Sequence, residues 1–428
     1  MIGFKQTEIG LLPTDWAIKR IEEVYDFKNK AKGINFEKVK QVPFIPMDLI
    51  PDDRMFVRDF ELRDISDISS GTYIENDDLL IAKITPSFEN GKQAIVDFKY
   101  KFGFATTEVI PIKEKERISS KQYLYYYLLK RDIRSFLAGK MEGSTGRQRL
   151  SKTILGETLI PFPPISEQNT IVYILSQIQS AIETQEKIIQ TTTELKKALM
   201  QKLFTEGLSG EPQKEDSELK WDTVRLGILA EKGIVEFQNG FPCGQWNEAG
   251  VGIPQIRPFN VTDFGKINLT QIKYIETNKS VEKYKLKQND IVFNNTNSEE
   301  LVGKTALWQN GDGYVLSNHM TIIRIKDGTS INPTYLANFL HKKWFDGHYK
   351  MICRRHVNQA SVSIERLKDI DLPYPPIDVQ NEIAKSFISI DKKIEFANAK
   401  HQTLQVLFRS MLHHLMTGQI RVKDLRFS

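Results

Sequence analysis

Apolar residues recur along this chain with two periods, and the change from one to the other happens twice. Short runs such as DLLIAKI (78–84), EVIPIK (108–113), DIVFNN (290–295) and MTIIRIK (320–326) are bounded by Gly, Asn, Asp and Pro, and they predict strands. Each group of strands is accompanied by an amphipathic helical stretch, QYLYYYLLKRDIRSFL (122–137) or PTYLANFLHKKWF (333–345). The spacing then becomes that of a long helix. Ile383, Ile390, Ala397, Leu404 and Met411 share one heptad row, and Phe387, Ile394, His401, Phe408 and Leu415 follow four places later. In the earlier stretch Ile171, Ile178 and Leu199 fit one row while Leu175, Ile182, Ile189 and Leu203 fit the other, with Gln185, Thr192 and Lys196 as interruptions. An apolar stripe this narrow wants one partner helix, so the expected seam comprises Ile171, Leu175, Ile178, Ile182, Ile383, Phe387, Ile390, Ile394, Leu404 and Phe408.

The two changes of period fall on one repeated phrase, PFPPISEQN (161–169) and PYPPIDVQN (373–381). A shift of 212 residues superimposes more than this phrase. Asp78 falls on Asp290, Gly91-Lys92 on Gly303-Lys304, Tyr123 on Tyr335, and Ile178, Ile182 and Glu183 recur unchanged. DWAIKRIEEV (15–24) matches WDTVRLGILA (221–230) around Trp16 and Trp221 at a slightly shorter shift. The expected organisation is therefore a first α+β head over 1–164, a helix over 165–207 and a polar linker over 208–220. A second head over 221–376, a second helix over 377–418 and a tail over 419–428 complete it. Ser166 and Asp378 are natural N-caps, and Gly207 and Gly418 natural stops. Two similar helices are expected to pack on each other, antiparallel about a pseudo-twofold axis, as the spacer of two α/β heads.

Composition adds bounds. A chain of 428 residues has more than one domain core, and 40% hydrophobic with 26% charged residues is ordinary for a globular protein. Cys243 and Cys353 are the only cysteines, too few for a disulfide framework or a Cys-rich zinc site. No signal-peptide pattern opens the chain and no apolar run suits a membrane span, so a cytoplasmic location is expected. The net charge of +5 permits a polyanionic partner without requiring one.

The Trp16 and Trp221 starts, the Asp78/Gly91-Lys92 and Asp290/Gly303-Lys304 segments, the two Pro-Pro-Ile-x-x-Gln-Asn junctions and the ending LMTGQIRV (415–422) together resemble the specificity subunit of Type I restriction-modification systems. The resemblance covers the full chain. It implies two target-recognition domains reading the halves of a split double-stranded DNA site, with a helical spacer that docks two modification (methyltransferase) subunits and, through them, restriction subunits. It implies no catalysis and no cofactor on this chain; the methyl donor, ATP and magnesium are expected on the partners. One departure is Val379 where the first junction has Glu167.

Candidate base-reading residues lie in polar loops. GSTGRQRLS (143–151) and CRRHVNQAS (353–361) occupy corresponding places, and Arg147, Arg149, Arg354 and Arg355, with Asn358, could grip phosphates or guanine. Asn294, Asn295 and Asn297 cluster after a strand, where the first half has Lys83 and Thr85. Against each stands the plain reading of a polar loop after a strand. VGKTA (302–306) imitates a phosphate loop but has Ser298 where the first glycine belongs, so a strand-edge turn is expected there. PYPPI lacks the Asn/Asp of an amino-methyltransferase loop, and His413-His414 reads as a solvated helix surface. The alternatives left open are a self-contained methyltransferase or nuclease with unfamiliar motifs, and a coiled-coil scaffold that binds protein.

Overall fold

A computed structural model describes residues 3–28, 39–144, 146–205, 221–242 and 245–422. The chain divides into two compact units, residues 1–186 with 399–428, and residues 187–398. The expected linker and Gly207 lie outside the described residues.

The first unit holds a five-stranded sheet in the order Tyr25–Phe27, Val109–Glu114, Leu79–Ala82, Gln93–Val96, Phe56–Val57. The second holds the same order without the last strand: Val235–Asn239, Met320–Ile325, Ile291–Asn294, Thr305–Leu307. These strands read as unbroken apolar runs because both faces of each sheet are covered. Leu79, Ile81, Ile110 and Ile112 enter one core, whereas Leu80, Ala94, Val96 and Val109 enter another on the opposite face. The second unit repeats the split, with Ile291, Phe293 and Ile323 on one side and Val292, Ala306 and Ile322 on the other. A smaller sheet accompanies each, built on Gln41–Ile45 in the first unit and Ile253–Ile256 in the second.

The matched sequence features take matched structural roles. Asp78 accepts the Glu75 N–H at 2.7 Å and Asp290 the Lys287 N–H at 2.8 Å, each closing the turn before a strand. Both carboxylates are buried, and Lys28 (3.3 Å) or Arg324 (2.7 and 2.5 Å) neutralises them. Gly91 and Gly303 adopt φ of +91° and +94°, a turn in both units. At Gly303 a Cβ would fall 2.0 Å from the Tyr349 ring, so the glycine is there for packing.

Five helices position the features below: α1 (Lys121–Leu129), α2 (Lys152–Glu157), α3 (Ile165–Thr205), α4 (Pro333–Phe345) and α5 (Ile364–Lys368). The sixth is α6 (Ile377–Met416). The long helices α3 and α6 have 41 and 40 residues, roughly 60 Å each at 1.5 Å rise per residue. They pack antiparallel within each unit. In the first, Ile171 and Leu175 from the start of α3 join Leu412, Leu415 and Met416 from the end of α6. In the second, Met200, Leu203 and Phe204 join Ile383 and Phe387. No helix among the described residues is long and apolar enough to cross a membrane.

Two details depart from the expected seam. Ile178, Ile182, Leu404 and Phe408 are only half-buried, while Gln179 and Gln185 are 7% exposed. Ile390 and Ile394 are buried as expected. Lys196 turns inward because it has a partner: its Nζ lies 2.7 Å from Asp391 Oδ1 and 3.2 Å from the Phe264 carbonyl oxygen. Burial lowers the Lys196 pKa, and Asp391 opposes that shift. The N-caps differ as well. Both long helices start one residue before Ser166 and Asp378, because the Pro164 and Pro376 carbonyls accept the first helical bonds, from Gln168 N at 2.9 Å and Gln380 N at 3.1 Å.

Candidate nucleic-acid interface

The repeated proline phrase fixes each head to its helix through side chains, one contact copied after another. Tyr123 donates its hydroxyl to the Pro161 carbonyl at 3.0 Å, and Tyr335 to Pro373 at 2.9 Å. Gln168, fully buried, donates to the Pro163 carbonyl at 2.9 Å and accepts the Ser120 N–H at 3.0 Å. Gln380 repeats both bonds at the same lengths with Pro375 and Asn332. Ser120 and Asn332 are the N-caps of α1 and α4, so each glutamine ties a head helix to the start of a long helix. The phrase is a joint.

In the first unit the joint carries an additional charged cluster. Glu167, almost fully buried, accepts the Trp16 indole N–H at 2.9 Å and two bonds from Arg421 at 2.9 and 3.0 Å. Arg421 also forks onto Asp15 at 2.8 Å twice. The second unit has Val379 at this position, packed, like Trp221, against the buried apolar cluster of that unit.

Away from the joint, each head projects a hairpin at the place the sequence indicated. In the second unit strands Arg354–Arg355 and Ala360–Ser361 pair, and Ser361 also pairs with Thr296. In the first unit Arg149 bridges Glu142 and Ile84, the same pattern 212 residues earlier. Arg147, Arg354 and Asn358 are exposed on these hairpins, and no side-chain hydrogen bond or ion pair engages them among the described residues. Val357 at the second tip is 99% exposed. Arg149 and Arg355 are exposed but occupied. Arg149 grips Glu108 through two bonds at 2.9 and 2.8 Å, which holds the Glu108 carboxyl below its usual range, and Arg355 bonds Glu299 at 2.7 Å.

The other predicted residues are less available. Asn294 is fully buried and donates to the Leu301 carbonyl at 3.0 Å, holding the turn before Gly303. Asn295 bonds Thr321 and Thr296 at 2.9 Å each. Asn297 is half-buried and accepts the Ser298 N–H at 2.8 Å. Lys83 and Thr85 are half-buried beside the first hairpin, where Thr85 donates to the Gln148 carbonyl at 3.2 Å.

One mixed α/β head written twice, each joined through prolines and a buried glutamine to a long helix, defines a duplicated head-and-helix protein. The chain belongs to the Type I restriction modification DNA specificity domain family, whose model matches it twice, at residues 13–194 and 220–406. The type I restriction enzyme MjaVIII specificity subunit of Methanocaldococcus jannaschii is 26% identical, covering 99% of this chain and 97% of that one. The EcoAI specificity subunit of Escherichia coli is 29% identical over 195 residues, 45% of this chain and 33% of that one. A Type-I restriction-modification S subunit from M. genitalium shares the fold with a TM-score of 0.56 at 16% identity, covering 94% and 96% of the two chains.

Proposed function

We propose that this chain is the non-catalytic sequence-reading subunit of a Type I restriction-modification complex, binding a bipartite, asymmetric double-stranded DNA target. It directs partner methyltransferase subunits to an adenine in each half-site, and restriction subunits when the site is unmethylated. The methyl donor, ATP and magnesium belong to those partners, and the complex works in the cytoplasm. The observation that carries this reading is one frame with two different surfaces. The sheets, the buried aspartates and the glutamine joints repeat, while the sequence reads GSTGRQR over 143–149 in one half and RRHVNQA over 354–360 in the other. Two heads alike in frame and unlike in exposed side chains suit a target whose halves differ.

Mapping methylated adenines across a genome that carries the complete system tests the reading. A split motif with unequal halves is expected, and methylation by the purified chain without partners would overturn it in favour of a self-contained enzyme. Adding one heptad to both α3 and α6 should change the length of the unspecified gap between the half-sites. An unchanged gap would refute the role of the helices as a ruler.

A further inference from the structure

Each head contains a polar cleft, and the two clefts occupy the same place in the repeated frame. The first, about 490 Å³, is lined by Lys28, Ser69, Ser70, Thr72, Tyr73 and Lys152 among others. The second, about 680 Å³, is lined among others by Gln238, Asn239, Tyr284, Asn318, Val362 and Ile364. The strand registers make the correspondence explicit. Phe27 pairs with Ile112, which pairs with Leu79; Phe237 pairs with Ile323, which pairs with Ile291. Lys28 therefore corresponds to Gln238. Tyr73 faces Phe104 as Lys285 faces Val315, which sets Thr72 against Tyr284. Ser151 and Ser363 cap α2 and α5 by accepting the Ile154 and Arg366 N–H groups, so the next residues, Lys152 and Ile364, correspond as well. A cavity that recurs on the same frame with different lining is what a variable reader on a fixed scaffold requires.

The linings differ at corresponding positions. In the first cleft Lys28 is occupied by Asp78 and Glu75, but Lys152 is exposed and forms no ion pair among the described residues. Its ammonium is a pure donor, and the Ser69 and Ser70 hydroxyls beside it can donate or accept. The second cleft has Ile364 where the first has Lys152; its polar lining includes the amides of Gln238, Asn239, Asn295 and Asn318, together with Glu365 and with Lys283, whose ammonium lies 4.9 Å from the Tyr284 ring centre. Asn318 is exposed and its amide makes no hydrogen bond among the described residues, while Asn239 only accepts from Thr321, at 3.4 Å. Guanine presents two acceptors, O6 and N7, in the major groove. Adenine presents an acceptor and a donor, N7 and N6, which an amide matches with its own donor and acceptor. Each cleft also adjoins its hairpin, because Leu150 and Val362 are the only residues between the closing hairpin positions Arg149 and Ser361 and the capping serines.

We propose that these two clefts are the base-reading sites of the heads, the first taking a guanine edge at Lys152 and the second an adenine edge at Asn318. This rests on the reading of the chain as a DNA specificity subunit. The hairpin arginines Arg147 and Arg354 grip phosphates beside them, so position and base identity are set by different residues of one corner.

The test uses the full-length chain with its methyltransferase partners and maps methylated sites for wild type, Lys152→Ala, Asn318→Ala and Arg147→Ala. Lys152→Ala should relax discrimination at a G·C position in one half-site and Asn318→Ala at an A·T position in the other, each by roughly 5- to 150-fold. Arg147→Ala should weaken binding to all sequences and leave the motif unchanged. Should a variant silence methylation, gel-shift competition with duplexes altered in one half-site or the other reads the same discrimination. If wild type methylates a split motif while neither cleft variant changes it, or both relax the same half, the cleft assignment falls. A wild-type complex that methylates no split motif overturns the specificity-subunit reading itself.

Discussion

Gln168 is the residue whose replacement most directly tests the joint between a head and its helix. Gln168→Met keeps the side chain's length and apolar stem and removes both polar ends. It leaves the Ser120 N–H and the Pro163 C=O without partners in a region where Ser120 is 5% exposed. A stranded buried backbone group costs about 1–3 kcal/mol, so the substitution should destabilise the first unit by about 2–6 kcal/mol. Methionine's similar volume keeps the cavity contribution small. That loss is large against the ~5–15 kcal/mol by which domains are stable. Gln380→Met removes the same two bonds, but Asn332 is half-buried and water can replace part of the loss, so its cost should be smaller. Urea denaturation of the full chain gives the stability change, and amide hydrogen exchange localises it. Protection of the Ser120 amide should fall in Gln168→Met while that of Asn332 is retained, with the converse in Gln380→Met. A Gln168→Met chain within about 0.5 kcal/mol of wild type, with Ser120 still protected, would refute the joint as described.

Two other buried polar groups lead to measurable consequences. Asp391→Gln leaves Lys196 buried without its carboxylate and should cost about 3–5 kcal/mol, while adding Lys196→Met should recover most of it; denaturation midpoints that show no recovery would contradict this. His341 is buried, and burial, with Lys196 and Lys304 nearby, pushes its pKa down to about 3. It stays neutral, accepting the Thr305 N–H at Nδ1 and donating from Nε2 to the Asp263 carbonyl. The unfolded chain binds that proton near pH 6.5 and the folded chain near pH 3, so stability falls as pH drops through this window. The slope approaches ~1.4 kcal/mol per pH unit for this group. His341→Gln should flatten the pH dependence of the unfolding free energy between pH 6 and pH 4 by up to that amount, and an unchanged slope would rule out a neutral buried imidazole.

The repeat was legible because the frame obeys local rules. Buried strands need continuous apolar residues, turns need Asp78 and Asp290, and prolines must end a strand before a helix begins. The glutamine of the phrase was visible as a repeated letter, but its bonds reach Ser120 and Asn332, 48 residues away in each unit. No local pattern announces such a partner. The same limit applies to the readers. Asn294, Asn295 and Asn297 share a composition that suits adenine, yet two of them are engaged within the fold and the third caps a turn. Lys152 and Asn318, which no motif marks, stand free in the clefts because strand registers distant in sequence bring the walls together.

Lys196 looked like a defect in the first heptad seam, and its partner gives it a purpose. By the 212-residue shift, Lys196 corresponds to Phe408 and Asp391 to Gln179, and those two lie in the first unit, where Phe408 meets Tyr126 and Gln179 reaches the Asp53 carbonyl. The helices α3 and α6 resemble each other enough that each could pair with a second copy of itself. In the geometry seen here, an α3–α3 pair would set Lys196 against Gln179, and an α6–α6 pair would set Asp391 against Phe408. The first exchange buries Lys196 without Asp391, a cost of about 3–5 kcal/mol, and the second leaves Asp391 with Lys266 alone, at 3.1 Å, whereas α3 with α6 pairs Lys196 and Asp391 at 2.7 Å. A buried ion pair adds little net stability over apolar residues of the same size, so stability does not account for it. An ion pair divided between the two helices favours α3 with α6 over either helix with its own copy.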